Sequence, residues 1–160
     1  MTNHSGAHEL KLRPAVETDA YMLWLWANDV QTRLASLRRD EIEWDTHVTW
    51  FGSRIRRDDH LILIATTGAD QPVGVTRFDS EDGWQTARLS YVIAPEQRNR
   101  GLAAALVSAG TGNLREIHRS VAIRADVEPD NDRSLRVFRS AGWTETANRD
   151  RAGALTFWYY

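Results

Sequence analysis

Between Pro95 and Ala103 the chain passes from an apolar, β-branched run into an alanine-rich one through Arg98-Asn99-Arg100-Gly101-Leu102-Ala103. A helix starting at such a junction leaves its first N–H groups without intrahelical partners, and its dipole adds partial positive charge there. Arg98 and Arg100 flank the junction, and Gly101 and Ala103 are small enough for a ligand to come near the main chain. The segment therefore suits an anion the size of a pyrophosphate. Gly110-Thr111-Gly112 is not a second such loop: it lies inside the helical run, has no third glycine and follows no strand. Proton transfer has other candidates. His47, with an ordinary pKa of about 6.5, suits a base at neutral pH. Asp79, Glu81, Tyr91, Asp126 and Glu128 carry the remaining groups that could move a proton. Trp24, Trp26, Trp44 and Trp50 fit a core or the wall of a cleft on which a planar sugar or base could stack.

Composition removes several chemistries. The chain has no cysteine, which excludes disulfides, thiolate metal sites and a thioester on the protein itself. No metal site is expected. Of 20 basic residues only Lys11 is a lysine, and no glycine-rich loop precedes it, so a P-loop is excluded and cationic work falls to arginine. A net charge of −2 with no basic block gives no general attraction to nucleic acid or to an anionic membrane. No apolar run approaches the roughly 20 residues of a membrane span. The start, Met1 to Leu10, lacks a charged region followed by an apolar one, so a cytoplasmic location is expected. The 160 residues, 42% hydrophobic and 26% charged, predict one globular domain over 1–160.

The elements that would position these residues follow from periodicity. Glu9 to Arg13 alternates up to Pro14 and predicts a first strand. A helix is expected over Glu17 to Ala27, with Tyr21, Leu25 and Asn28 or Trp24 and Asn28 at helical spacings and Asp19 in its first turn. Val30 to Trp44 has no clean period and predicts a loop with partial helix. Asp45 could cap a second helix running to Arg57 with Val48, Phe51 and Ile55 on one face. Leu61 to Ala65, Val73 to Phe78 and Ala87 to Ile93 predict an antiparallel meander, its last turn at Ser80 to Gly83. A long helix from Gly101 carries Leu102, Leu106, Ala109 and Leu114, with close packing or a break expected at Gly110 and Gly112. Ser120 to Val127 predicts a strand, and Asn131 opens a helix carrying Leu135 and Phe138 that ends at Gly142. Trp143 to Tyr160 can form two strands around Arg149 to Gly153. The predicted class is α/β (α+β), with about seven strands and about four helices in a mixed, mostly antiparallel sheet containing one parallel βαβ unit.

Two stretches together resemble the GNAT superfamily of acetyl-CoA-dependent N-acetyltransferases. Arg98-Asn99-Arg100-Gly101-Leu102-Ala103 matches its Arg/Gln, two residues, Gly, one residue, Gly/Ala signature, and Pro129 to Trp143 matches a second. The resemblance covers about residues 9–147 in element order. It implies acetyl-CoA as co-substrate, its pyrophosphate held by main-chain N–H groups of Arg98 to Ala103, with Asn131 and Ser134 near the pantetheine arm. It also implies that main-chain N–H groups from Val92 to Ala94 steady the oxyanion. The implied reaction is direct attack of an amine on the thioester in a ternary complex, with His47, Tyr91 and Ser134 as catalytic candidates. Two positions depart from the common pattern: Arg88 stands where many members have a glutamate, and Phe138 where many have a tyrosine that protonates the leaving thiolate.

Leu23 to Asp29 with His47 to Phe51 looks like a branch that includes acetyltransferases of nucleotide-linked amino sugars, though that branch usually has an arginine where Ala27 stands. The acceptor, a small-molecule amine, is expected between the first two helices, bounded by Trp26, Asn28, His47 and Trp50. A peptide N-terminal acetyltransferase and a non-catalytic acyl-CoA-binding module are the alternatives, and a homodimer is left open.

Overall fold

The computed structural model describes residues 9–149 and 153–160. A 7-stranded sheet runs in the order β1-β2-β3-β4-β5-β7-β6, from β1 (Lys11–Pro14), β2 (His60–Thr66), β3 (Pro72–Ser80), β4 (Thr86–Ile93), β5 (Ala122–Val127), β6 (Thr144–Arg149) and β7 (Leu155–Tyr159). Every pairing is antiparallel except β4 with β5. The helices are α1 (Ala20–Asn28), α2 (Val30–Ala35), α3 (Trp44–Arg54), α4 (Leu102–Ile117) and α5 (Asp132–Ser140). The expected fold class holds, with the partial helix of the second loop realised as α2.

The apolar run of β2 is buried on both faces because it separates two cores. Leu63 points into one with Phe78, Leu89, Val107, Leu114 and Phe138, beneath α4 and α5. Ile62 and Ile64 point into the other with Leu23, Trp26 and Phe51, beneath α1 and α3. Strand alternation thus divides the molecule into an α4/α5 side and an α1/α3 side. Gly110 is where α4 comes closest to the sheet: a Cβ there would lie 2.7 Å from Thr76 Oγ1. Close packing or a break was the expectation at both Gly110 and Gly112, and Gly110 is closely packed within an unbroken helix. At Gly112 a Cβ would meet nothing.

Several local expectations need correction. In α1 the buried face is Ala20, Leu23 and Trp26, whereas Tyr21 and Leu25 are exposed. The helix begins at Ala20 after a 3-10 turn, Glu17–Asp19, and Asp19 does not cap it. The Asp19 carboxylate instead accepts two bonds from the Arg13 guanidinium and one from the Val16 N–H, each of 2.8 Å. Helix α3 ends at Arg54 rather than Arg57, has Glu43 rather than Asp45 at its N-cap, and buries His47 with Phe51 while Val48 is exposed. The i, i+4 pair facing α1 decides that orientation, and a histidine does not register as apolar in a periodicity count. Pro14 is the last residue of β1, opposite Leu63, and is tolerated because β1 is an edge strand. Of the expected final turn, Asp150, Arg151 and Ala152 lie outside the described residues.

The feature that shapes the site is a parting of strands. Parallel pairing of β4 with β5 stops at Arg88↔Arg124, although β4 continues to Ile93 and β5 to Val127. Beyond that point the two strands diverge, and the sheet is open between them.

Candidate active site

The parting of β4 and β5 belongs to a cavity of about 1250 Å³ that reaches both sides of the sheet. Its lining includes Asn99, Gly101 and Ala103 at one end and Trp26, His47 and Trp50 at the other, with Tyr91, Val92 and Ile93 between.

At the first end the cavity is lined by a backbone turn into α4. Asn99 and Gly101 both have left-handed φ, 61° and 71°. This double reversal brings the chain into α4 at Leu102, whose N-terminus has no side-chain cap. The first-turn N–H groups therefore face the cavity without partners of their own. A Cβ on Gly101 would meet no protein atom within 4 Å. The restriction there is its positive φ and any ligand lying over it. The two arginines are less free than their positions in sequence suggest. Arg98 is nearly buried and pairs with Asp29, Nη2 to Oδ2 at 2.5 Å, while donating to Thr32 Oγ1 at 2.8 Å. Its work is to tie this turn to the start of α2. Arg100 donates to the buried Gln97 at 2.6 Å and is otherwise exposed. Arg133 and Arg136 of α5 also line the cavity. They were missed in the sequence, since in a polar helix they read as a solvated face.

Asn131 caps α5, accepting the Ser134 N–H at 3.1 Å, and its Nδ2 donates to the Ala35 carbonyl at 3.2 Å. Across the parting, Tyr91 Oη and Ser134 Oγ are hydrogen-bonded at 2.9 Å. Burial pushes the Tyr91 hydroxyl above its ordinary pKa, so it is protonated at neutral pH. Phe138, one turn after Ser134, is fully buried and packs edge-to-face on Tyr91 with centroids 6.0 Å apart. A hydroxyl is thus present at this point of the cavity, delivered by β4 instead of by α5.

Backbone direction along β4 sorts the expected N–H donors. Ala94 donates its N–H to the Val73 carbonyl at 2.9 Å and has none to offer a ligand. N–H groups alternate between the two edges of a strand, so Val92 faces β3 with Ala94, whereas Tyr91 and Ile93 face the opened edge.

On the α1/α3 side the expected acceptor residues separate. Trp26, His47 and Trp50 line the cavity. Asn28 does not: its side chain makes reciprocal 2.8 Å bonds with the backbone of Ile42 and pins the loop between α2 and α3. His47 is buried, lies flat on Phe51 at 5.9 Å and shares a 2.9 Å hydrogen bond between Nε2 and the Ala20 carbonyl. The carbonyl can only accept, so Nε2 carries the proton and the ring bolts α3 to α1. Burial holds the His47 pKa below its ordinary value. Three of the carboxylates considered for proton transfer, Asp79, Glu81 and Asp126, are engaged by arginines, Asp79 by Arg77 at 3.2 Å. Asp79 accepts from His60 Nδ1 at 2.8 Å, and Glu81 and Asp126 are bridged by Arg124 at 2.7 and 2.9 Å.

No curated protein matches the chain in sequence. Among solved structures, spermidine N-acetyltransferase from Vibrio cholerae in complex with CoA and spermine superposes with a TM-score of 0.81 at 14% identity, covering 93% of this chain and 92% of that one. Aminoglycoside acetyltransferase AAC(6')-Ib in complex with coenzyme A gives 0.78 at 21% identity, covering 94% and 92%. These likenesses establish the fold. The model of the acetyltransferase (GNAT) domain matches residues 9–144, and the chain belongs to that family.

Proposed function

We propose that the protein transfers an acetyl group from acetyl-CoA to a primary amine by direct attack in a ternary complex. The observation that carries this is the single cavity running through the parting of β4 and β5, with an N–H cradle at one end and an aromatic, charged pocket at the other. Two substrates entering from opposite sides would meet at Tyr91 to Ile93, and such positioning is a large source of rate.

In this reading the α4 N-terminus and the Asn99 to Ala103 turn receive the coenzyme pyrophosphate. The open edge of β4 presents the Tyr91 and Ile93 N–H groups to the thioester. As the amine nitrogen bonds to the carbonyl carbon, negative charge grows on the carbonyl oxygen, and those donors steady it. When the C–S bond breaks, the Tyr91 hydroxyl protonates the leaving thiolate, with Ser134 holding it in place. Asp79, Glu81 and Asp126 are paired with arginines and His47 Nε2 is committed to Ala20, and in this reading the amine enters neutral or loses its proton to water. An amino group on a nucleotide-linked sugar is the finer acceptor class, supported by the aromatic walls of Trp26 and Trp50.

Thiol release from acetyl-CoA, followed across a panel of amines, tests the reading. Amine-dependent release is the expected result. Tight coenzyme binding without release for any amine would leave a binding module in place of an enzyme.

A further inference from the structure

On the α1/α3 side, the floor of the cavity holds two guanidiniums that share one carboxylate. Arg77 of β3 and Arg88 of β4 both line the cavity, and both lean on Asp79, at 3.2 Å from Arg77 Nε and 3.7 Å from Arg88 Nη2. Asp79 also accepts from His60, so its oxygens are divided among three neighbours. Arg77 Nε, although close to Asp79, lacks the alignment of a hydrogen bond and is a buried donor without an acceptor. Nε is closed to the cavity, and the rest of the side chain, a third exposed, is what a ligand there would reach. The Arg77 guanidinium lies over Trp50, 5.1 Å from the ring centroid, which holds it in place. Of the other carboxylates lining the cavity, Asp126 is paired with Arg124 at 2.9 Å, and Asp40, Glu41 and Glu43 stand on the loop between α2 and α3 with no ion pair to Arg77 or Arg88. Burial, and the like charges of Arg88 and Arg54, hold the Arg77 pKa down against the pull of Asp79, as in a cation short of anionic partners.

We infer that the acceptor amine carries an anionic group, a phosphate or a carboxylate, whose oxygens are received by Arg77 and Arg88. The inference rests on the acetyltransferase reading, because it names the substrate that the same cavity takes. A guanidinium fork suits such an oxyanion group, and a polyamine would bring further positive charge to two arginines that already exceed their carboxylate. Arg88 and Ile93 are five residues apart on β4, roughly 16 Å along the strand. The anion and the reacting nitrogen are therefore separated along the acceptor by more than the reach of the arginine side chains.

Calorimetry on the CoA-saturated protein tests this with matched pairs. Glucosamine 6-phosphate is compared with glucosamine, a dipeptide with a free carboxylate with its amide, and spermidine serves as the polycation. The anionic member of at least one pair should bind on the order of tenfold more tightly than its neutral partner. The pair that shows this distinguishes phosphate from carboxylate. Arg88→Gln, at an accessible position, should remove the preference while leaving CoA affinity and the circular dichroism spectrum unchanged. Equal binding within both pairs, no binding by any member, or tightest binding by spermidine would overturn the inference. Thiol release with spermidine would in that case leave the acetyltransferase reading standing. Selective binding of an anionic amine without thiol release would do the reverse.

Discussion

The two ends of the cavity are built by different means. The end proposed for the coenzyme is a short continuous segment, Arg98 to Ala103, which ends in main-chain N–H groups at an uncapped helix start. The acceptor end is assembled from side chains on α1, α3, β3, β4 and β5, held by pairs such as Arg77 with Trp50 and Asp79 with His60. Backbone chemistry is local and tolerates many side chains. A network of charges works only in its own arrangement and can be rebuilt for another substrate without touching the cradle. The comparison teaches that changes at one end should be readable separately from changes at the other.

The largest expected effect undermines that separation from below. Phe138 packs on Tyr91, Trp143 and Phe157 in the core under α5. Phe138→Ala should cost about 3–5 kcal/mol of stability in denaturant unfolding, as a large-to-small core change. It should also loosen the seat of Tyr91 and Ser134, so that coenzyme binding and turnover fall together. A change under about 1 kcal/mol would mean that the ring is not a core element.

Next in size is the residue proposed as proton donor. Tyr91→Phe keeps the ring and removes the hydroxyl bonded to Ser134. Turnover should drop by roughly 10²-fold, the lower end of general acid catalysis, with little change in either Michaelis constant. Unaltered turnover would assign proton delivery to water.

Gly101→Val then isolates the coenzyme end. A β-branched residue at φ 71° is strained, and its side chain would project where a ligand approaches. Acetyl-CoA affinity by calorimetry should weaken by on the order of tenfold or more, with acceptor binding unaffected. Undiminished affinity in a folded variant would move the pyrophosphate elsewhere.

The smallest effect concerns pH at the acceptor end. Burial lowers the His47 pKa in the folded protein, so His47 adds nothing to the pH dependence of stability above its unfolded pKa of about 6.5. As pH falls below that value the unfolded chain takes up a proton that the folded chain resists, and stability declines toward the folded pKa. Melting temperature between pH 7 and 5 should therefore fall more steeply in the wild type than in His47→Gln, by a few degrees. Parallel curves would remove His47 from the account.

The residues show where sequence reading reached and where it stopped. Strand β2, helix α4 and the Asn131 cap follow from runs and spacings that local rules govern, and the cradle is legible because its parts are adjacent in the chain. At the acceptor end Trp26, His47 and Trp50 line the cavity as expected, whereas the partners of two of the four residues were not legible. Asn28 holds Ile42 and His47 holds Ala20, and each pairing joins residues far apart in sequence. Arg98 carries a charge that reads as anion-binding until its partner Asp29 is seen. Tyr91 was nameable as a hydroxyl, yet only its meeting with Ser134 gives it a position, and that meeting depends on where β4 and β5 part. By itself the sequence determined the order of elements and the strand-to-helix junction before α4, because hydrophobic periodicity and backbone conformation act over a few residues. Which charged side chains pair, and which are left facing the cavity, was decided by the tertiary structure, because electrostatic partners are chosen by distance in space and not by distance along the chain.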